Sequence, residues 1–308
     1  MDKKIILNGI FYIILTSLFI YLWIKEKQIA ATIKSYRDSF SNFLINSFNI
    51  KSPKSQTSLR KTVDFVETIT SAIILVLIIQ KFYLGNFLVP TGSMIPTIMP
   101  KDRLFGNMVI YKFTKPKRED IIVFKEPIDN KVLYTKRLMG LPGETVQIKD
   151  NYLFINNEKI TTRNYSNLAD LQPGVEWIIP KKGDTLEIYA DFNIKDVLIE
   201  KNIDVEKFQQ VIYEHPGRIT TFFKGVHFKI NGKETGPVPD YIHNKETISK
   251  LINGETLKFT INEDYYLALG DNTDNSMDSR VWGFLAEHRI KGKPFLRFWP
   301  LNRIGLLK

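Results

Sequence analysis

The chain begins with two apolar stretches that are separated by a polar, basic segment. The first, Ile5–Ile24, has no charged residue over twenty positions, and a helix of that length crosses a hydrocarbon core of about 30 Å. The alternative is a cleaved signal peptide, but the apolar core of a signal peptide is shorter, and no small-residue cleavage site follows this stretch. The second stretch, Thr68–Gln80, is short, but apolar flanks extend it. The pattern predicts transmembrane helices over residues 1–24 and 63–86, with a buried core helix as the alternative for the second.

From residue 87 onward, short runs rich in β-branched and aromatic residues replace the long apolar stretches. Turn signals such as Pro142-Gly143 and Asn231-Gly232 separate these runs. The predicted strands include Arg103–Phe113, Asp120–Glu126, Lys131–Gly140, Glu144–Asn157, Thr185–Ala190, Tyr265–Asp271 and Pro294–Leu301. The fold class is therefore mostly β, with an antiparallel β domain over 87–163 and 256–308. Residues 164–255 are more polar and mix helical and strand patterns, which predicts an inserted mixed α/β subdomain.

The net charge of +10 is concentrated in one segment. Residues 25–62 carry eight basic and two acidic side chains. Short loops with this bias stay on the cytoplasmic side, so we expect a basic cytoplasmic linker there and the β domain on the outer side of the membrane. The rest of the chain has no basic helix or aromatic-interleaved platform, which argues against nucleic-acid binding. The absence of cysteine excludes disulfides, Zn–thiolate sites and a cysteine nucleophile.

A rigid loop with a single serine follows the second apolar stretch. Ser93 is bracketed by Gly92 and by Pro90, Pro96 and Pro100, and proline restricts φ. The residues are consistent with a held nucleophile or with an ordinary turn. A serine nucleophile needs a base, and the histidines lie in contexts that suggest surface or loop positions: His215, His227, His243 and His288.

Lys136 offers a different base. If Val132–Leu138 is a strand, its period of two places Lys136 on one face with Tyr134 and Leu138. Desolvation disfavours the ammonium, lowers the pKa of the lysine and makes the neutral amine accessible near neutral pH. The alternative is an edge strand from which the lysine reaches water.

The segment Gly270–Gly283 is rich in aspartate and asparagine. It lacks the glycine and glutamate that an EF-hand loop requires at its sixth and twelfth positions, and we predict no metal site. Asp278 and Arg280 are spaced to pair, and Ser276 can hold another polar group. The alternative is a solvated turn.

Taken together, the motifs GSMIPT (Gly92–Thr97), YTKRLMGLPGE (Tyr134–Glu144) and GDNTDNSMDSRVWG (Gly270–Gly283) resemble those of the type I signal peptidases. These are membrane-bound serine proteases that cut signal peptides from exported proteins. The order of the motifs and the terminal Phe298–Gly305 agree as well. The resemblance covers Phe87–Thr162 and Thr256–Lys308.

This resemblance implies a role for several residues. Ser93 would be the nucleophile and Lys136 the general base, with Thr91 donating its hydroxyl to the oxyanion. Ser276 would orient the Lys136 ammonium, and Asp271 with the Asp278–Arg280 pair would shape the loop behind it. No cofactor is implied. Met94, Ile95 and Leu138 are expected to line shallow pockets for small substrate side chains.

The implied substrates are preproteins with Ala-x-Ala cleavage sites. Membrane lipid and the export machinery are the other expected partners, and the inner (plasma) membrane is the expected location, with several passes and the active domain on the periplasmic side. Two alternatives stay open at this point: a specialised relative that matures one dedicated substrate, and an inactive membrane-anchored β domain that binds partners.

Overall fold

The computed structural model describes residues 3–160, 163–165, 176–214, 225–242 and 244–307, without the side chains of residues 3–9 and 81. The chain divides into two compact units. One comprises the residues up to Leu84 together with Lys112–Thr114, and the other comprises Gly85–Tyr111 and Lys115–Lys308.

The first unit is helical. Its helices are α1 (Lys3–Ile24), α2 (Glu26–Ser47) and α3 (Pro53–Phe82). Among the described residues one helical stretch, Pro53–Gln80, is long and apolar enough to cross a membrane, and Ile10–Ile24 forms a shorter apolar stretch. Helix α1 coincides with the first apolar stretch of the sequence.

The segment expected as a linker is itself helical. Helix α2 occupies most of it, and α3 begins at Pro53, a position that proline favours because it lacks the N–H that a first turn leaves unpaired. Ser41 and Ile45 are buried on α2, and Arg60 of α3 donates a hydrogen bond to the Asn42 side chain at 2.5 Å. Charge on the exposed sides therefore coexists with a packed helical pair.

The second unit is built on an eight-stranded sheet. Its strands are β1 (Leu84–Leu88), β2 (Arg103–Asn107), β3 (Ile121–Lys125), β4 (Leu133–Gly140), β13 (Tyr265–Leu269), β14 (Leu285–Ala286), β15 (Ile290–Trp299) and β16 (Gly305–Leu306). The order is β1-β2-β15-β3-β4-β13-β14, with β16 paired to β15. The pairings of β3, β4, β13 and β15 with their neighbours are antiparallel, as the turn-rich sequence predicted.

Two four-stranded sheets complete the unit. One contains β5 (Thr145–Lys149), β6 (Tyr152–Ile155), β7 (Glu158–Lys159) and β8 (Glu176–Ile178), and the other β9 (Thr185–Ala190), β10 (Val226–Ile230), β11 (Lys233–Thr235) and β12 (Leu257–Thr260). Among the described residues, the remaining α-helices are α4 (Ile110–Phe113), whose last two residues belong to the first unit, α5 (Ile194–Glu200), α6 (Val205–Glu214), α7 (Lys245–Ile252) and α8 (Ser279–Trp282).

The region expected as an insertion shares its sheets and its core with the flanking chain. Strand β8 pairs with β5, and β9 pairs with β12. One hydrophobic cluster contains Val146, Ile188, Ile248 and Leu267. The described residues 176–214, 225–242 and 244–252 therefore pack as part of the larger unit, because their strands need partners from outside the segment to bury their apolar faces.

One predicted strand is shorter in the structure than in the sequence pattern. The run Arg103–Phe113 forms a strand only as far as Asn107. The Asn107 side chain accepts hydrogen bonds from the N–H groups of Val109 and Ile110, both at 3.0 Å. This local bond turns the backbone into α4, a competition that asparagine commonly wins over a strand ladder.

Candidate active site

The Ser93 loop, residues 90–100, connects β1 to β2. Met94 and Ile98 are buried in a cluster with Val89, Leu104 and Ile121, so the loop is anchored to the domain from its inner side. Ser93 itself is partly exposed. The loop thus presents a hydroxyl at the surface on a backbone that its own apolar side chains hold in place.

Asn272 holds the same loop from the other side. Its backbone N–H donates to the Ser93 carbonyl at 3.0 Å, and its side-chain Nδ2 donates to the Gly92 carbonyl at 3.0 Å. The two bonds fix the peptide on each side of the Ser93 α-carbon. The Ser93 N–H itself donates to no other described residue. Sequence reasoning missed Asn272, and its position directly after Asp271 in the motif was the available signal.

Lys136 lies beside this serine on an internal strand. Strand β4 pairs with β3 on one side and with β13 on the other, and Lys136 is 3% exposed. Its Nζ lies 2.6 Å from Ser93 Oγ and 5.3 Å from the centre of the Tyr134 ring. The edge-strand alternative is therefore wrong, because β4 has a partner on each edge and the lysine side chain is itself buried.

Burial changes the proton affinity of this amine. Desolvation, opposed by the Asp278 carboxylate and assisted by the Arg280 guanidinium, lowers the pKa of Lys136 from 10.5 to about 8. A measurable fraction of the amine is then neutral near pH 7, and a neutral amine within hydrogen-bond distance of a hydroxyl is able to take its proton.

Asp271 connects the Ser93 loop to the strand that carries Lys136. Arg137 donates to both carboxylate oxygens, from Nε at 2.9 Å and from Nη2 at 2.8 Å, and Thr97 Oγ1 donates to Oδ2 at 2.5 Å. Burial alone would raise the pKa of Asp271, but the hydrogen bonds from Arg137 and Thr97 bring this pKa below its usual value. The carboxylate therefore stays charged. Sequence reasoning missed Arg137 and Thr97, which contact Asp271 although they precede it by more than a hundred residues in the chain.

The predicted pairing of Asp278 with Arg280 is present and buried. Arg280 donates Nε to Oδ1 at 2.7 Å and Nη2 to Oδ2 at 2.8 Å, and the side chains are 0% and 3% exposed. Asp278 also accepts the Gly270 N–H at 2.9 Å. This pair is not part of a solvated turn, since it fixes the backbone where β13 leads into the motif.

Thr91 and Ser276 differ in how they lie relative to Ser93 and Lys136. Thr91 Oγ1 lies 3.5 Å from Ser93 Oγ and is exposed. Ser276 Oγ is buried, without a hydrogen-bond partner among the described residues, and packs against Gly270, where a Cβ would meet it at 2.1 Å. The contact expected between Ser276 and the Lys136 amine is not formed, because that amine is directed to Ser93.

The residues expected to line pockets differ in their exposure. Met94 is 1% and Leu138 is 0% exposed, and both lie inside hydrophobic clusters. Neither offers an open surface in this structure, and their contact with substrate stays a prediction. Ile95 is partly exposed and remains accessible.

The described histidines contact carboxylates rather than Ser93. His227 Nε2 lies 2.6 Å from Asp191 Oδ2, and His288 Nδ1 lies 2.8 Å from Glu263 Oε1. His215 and His243 lie outside the described residues. The arrangement around Ser93 is thus a hydroxyl, a buried amine and two fixed ion pairs, which together are suited to acyl transfer without a histidine base.

Comparison with known proteins relates this arrangement to one family. The family model "Signal peptidase, peptidase S26" matches residues 62–299. A signal peptidase I of Buchnera aphidicola subsp. Schizaphis graminum is 32% identical over 244 residues, 71% of this chain and 69% of that protein. Another from Buchnera aphidicola subsp. Baizongia pistaciae is 27% identical over 264 residues, 80% of this chain and 79% of that protein. A third, from Aquifex aeolicus, is 28% identical over 232 residues, 74% of this chain and 80% of that protein.

Proposed function

The chain belongs to the signal peptidase family, peptidase S26, and we propose that it cleaves signal peptides from exported proteins with Ser93 as the nucleophile and Lys136 as the general base. It is a serine endopeptidase, a hydrolase. The single observation that carries the assignment of the pair is the 2.6 Å separation of Lys136 Nζ and Ser93 Oγ in a buried setting. It disfavours the alternative of an inactive binding domain.

Acylation begins when neutral Lys136 accepts the Ser93 proton as Oγ attacks the scissile carbonyl carbon. The C–N bond then breaks, and the Lys136 ammonium returns the proton to the leaving amine. Because the pKa of Lys136 is about 8, the residue exchanges a proton in both directions near neutral pH. In the second half, Lys136 accepts a proton from water as the water oxygen attacks the ester carbonyl carbon. The C–Oγ bond then breaks, and the Lys136 ammonium returns the proton to Ser93 Oγ.

The oxyanion of each tetrahedral intermediate needs hydrogen-bond donors. The Ser93 N–H has no other partner among the described residues, and the Thr91 hydroxyl lies 3.5 Å from the nucleophile oxygen. These two groups are our candidates for the oxyanion site. Removing one such donor typically costs about 10²–10³ in rate.

Membrane anchoring is the second part of the proposal. Helix α3 has the length and hydropathy of a membrane span. The 22-residue helix α1 contains the apolar stretch Ile5–Ile24, from which the sequence predicts the first span. The basic bias of residues 25–62 favours a cytoplasmic location for the connection. We therefore propose two spans in the inner (plasma) membrane, with the chain after residue 86 on the periplasmic side, where the cleavage site of a membrane-inserted signal peptide emerges.

We propose Ala-x-Ala cleavage sites for the substrates, together with contacts to lipid and the export machinery. Ile95, partly exposed and two residues from the nucleophile, is the most accessible of the three pocket candidates.

The test uses the full-length protein in detergent or vesicles with a preprotein substrate. Ser93→Ala and Lys136→Ala should each lose cleavage activity by about 10³-fold or more, since nucleophile and base act as a unit. Lys136→Arg should be equally inactive, because a guanidinium stays protonated.

Lys258→Ala, which removes a surface ion pair with Glu187, is the control. Cleavage by Lys136→Ala at the control's rate would exclude the pair. Depletion in cells, followed by a survey of accumulated precursors, separates a general enzyme from a specialised one: one accumulated precursor would refute general processing.

A further inference from the structure

A three-residue segment outside the recognised motifs contacts both ion pairs of the site. The segment is Arg163–Tyr165, which follows the last residue of the motif-bearing region, Thr162. Arg163 Nη1 lies 3.0 Å from Asp271 Oδ1. The Tyr165 ring centre lies 5.6 Å from the guanidinium carbon of Arg280. One short piece of chain therefore reaches Asp271 and the partner of Asp278 together.

The contact of Arg163 adds a second guanidinium to a carboxylate that already has one. Arg137 approaches Asp271 along its two oxygens, while Arg163 approaches Oδ1 from a different part of the chain. The Asp271 side chain is 0% exposed and that of Arg163 is 31% exposed. Charge-assisted hydrogen bonds of this kind are short and directional. Two arginines from separate segments fix both the position and the rotation of the carboxylate.

The position of Asp271 is passed on to the nucleophile. Asp271 accepts the Thr97 hydroxyl of the Ser93 loop, and the next residue, Asn272, holds the carbonyls of Gly92 and Ser93. A displacement of Asp271 would therefore be transmitted to the loop at two places, through Thr97 and through Asn272. A misplacement of about 1 Å at a reacting atom costs on the order of 10²-fold in rate.

Tyr165 anchors the segment and supports the second ion pair. Its side chain is 0% exposed, and its N–H donates to the Asn151 carbonyl at 2.8 Å, in the turn between β5 and β6. A ring near a guanidinium is attracted to it. The Arg280 group that it contacts orients Asp278, which in turn accepts the Gly270 N–H.

We propose that Arg163 and Tyr165 are positioning residues, which hold the Ser93 loop in the position from which Ser93 reacts with Lys136. This inference rests on the proposed roles of Ser93 and Lys136. It assigns the segment Arg163–Tyr165 a function in the chemical step rather than in substrate capture.

The experiment measures kcat and KM of the purified full-length protein with a peptide that contains an Ala-x-Ala site. Arg163→Ala should lower kcat about tenfold and leave KM within about twofold, since the loop moves while the substrate surface stays. Arg163→Lys should recover most of that loss, because it restores a cation beside Asp271. Tyr165→Phe, which keeps the ring, should lose less than Tyr165→Leu. Lys258→Ala, which removes a surface ion pair of strand β12, is the control and should leave kcat unchanged.

Coupling through Asp271 is tested in a second background. In Asp271→Asn, adding Arg163→Ala should produce no further loss of kcat, whereas two losses that multiply would overturn the proposal. A wild-type kcat for Arg163→Ala, or a loss that appears wholly in KM, would also overturn it. Ser93→Ala and Lys136→Ala are assayed in parallel: their retained activity would refute the catalytic pair itself, while their inactivity beside a wild-type Arg163→Ala refutes only the positioning role.

Discussion

Replacing Lys136 with methionine should abolish cleavage and stabilise the fold at neutral pH. Lowering the pKa of this lysine from 10.5 to about 8 by burial means that keeping the ammonium charged in the folded protein costs about 3 kcal/mol. Methionine fills a similar volume without a charge. The lost hydrogen bond to Ser93 subtracts about 1 kcal/mol. We therefore expect Lys136→Met to be about 2 kcal/mol more stable at pH 7, with Tm higher by about 4–8 °C.

The difference in stability between the wild type and Lys136→Met should decrease as the pH rises. Below pH 8 the lysine is protonated in the folded and unfolded states, so the wild-type protein bears the full penalty. Between about pH 8 and 10.5 the unfolded chain binds the proton that the folded protein has released, and the wild-type free energy of unfolding rises relative to the variant. Near pH 10 a penalty of about 1 kcal/mol remains, which offsets the lost hydrogen bond, and the two proteins should be equally stable.

The assay is denaturant or thermal unfolding of both proteins in the same detergent at several pH values. Lys258→Met is the control; its side chain is 66% exposed in a surface ion pair, so we expect a change below about 1 kcal/mol. A destabilised Lys136→Met at pH 7, or a stabilisation that is the same at pH 7 and pH 10, would refute the argument that burial of a charge sets the proton affinity of the amine.

Three further outcomes test the geometry of the site. The kcat/KM of the wild-type protein should rise with pH and level off above about 8, because only neutral Lys136 accepts the serine proton; a peptide assay that is flat over this range would contradict it. Asn272→Ala removes the side-chain bond to the Gly92 carbonyl, while the backbone bond to Ser93 remains, and should lower kcat about tenfold. The exposed Asn275→Ala should not lower it, and equal rates for the two variants would refute the role of the Asn272 side chain in holding the loop. Gly270→Ala places a Cβ 2.6 Å from the Ser93 carbonyl oxygen and should lower kcat by at least about tenfold while Tm falls; an unaffected kcat, measured in the same peptide assay, would show that the loop tolerates displacement.

The strand patterns and motif spacing of the sequence were sufficient to predict a mostly antiparallel β unit and the Asp278–Arg280 pair. Periods of two and long apolar runs are local properties, so they are readable without the fold. Where local bonding competed, as at Asn107, the sequence pattern overextended the strand. The sequence also did not show that Met94 and Leu138 are buried, because an apolar residue beside a functional one carries no sign of which side faces the core.

The sequence by itself determined the helix-forming apolar stretches, the alternation that places Lys136 among apolar neighbours, and the residues able to act as nucleophile and base. Only the tertiary structure decided that β4 is internal and its lysine buried. It also brought the Asn272 side chain to the Gly92 carbonyl, which lies 180 residues earlier in the chain. It also decided that Asp271 meets Arg137 and Arg163. These contacts depend on sheet order and loop docking, and the free energy that selects them comes from packing summed over the whole unit rather than from any short stretch of sequence.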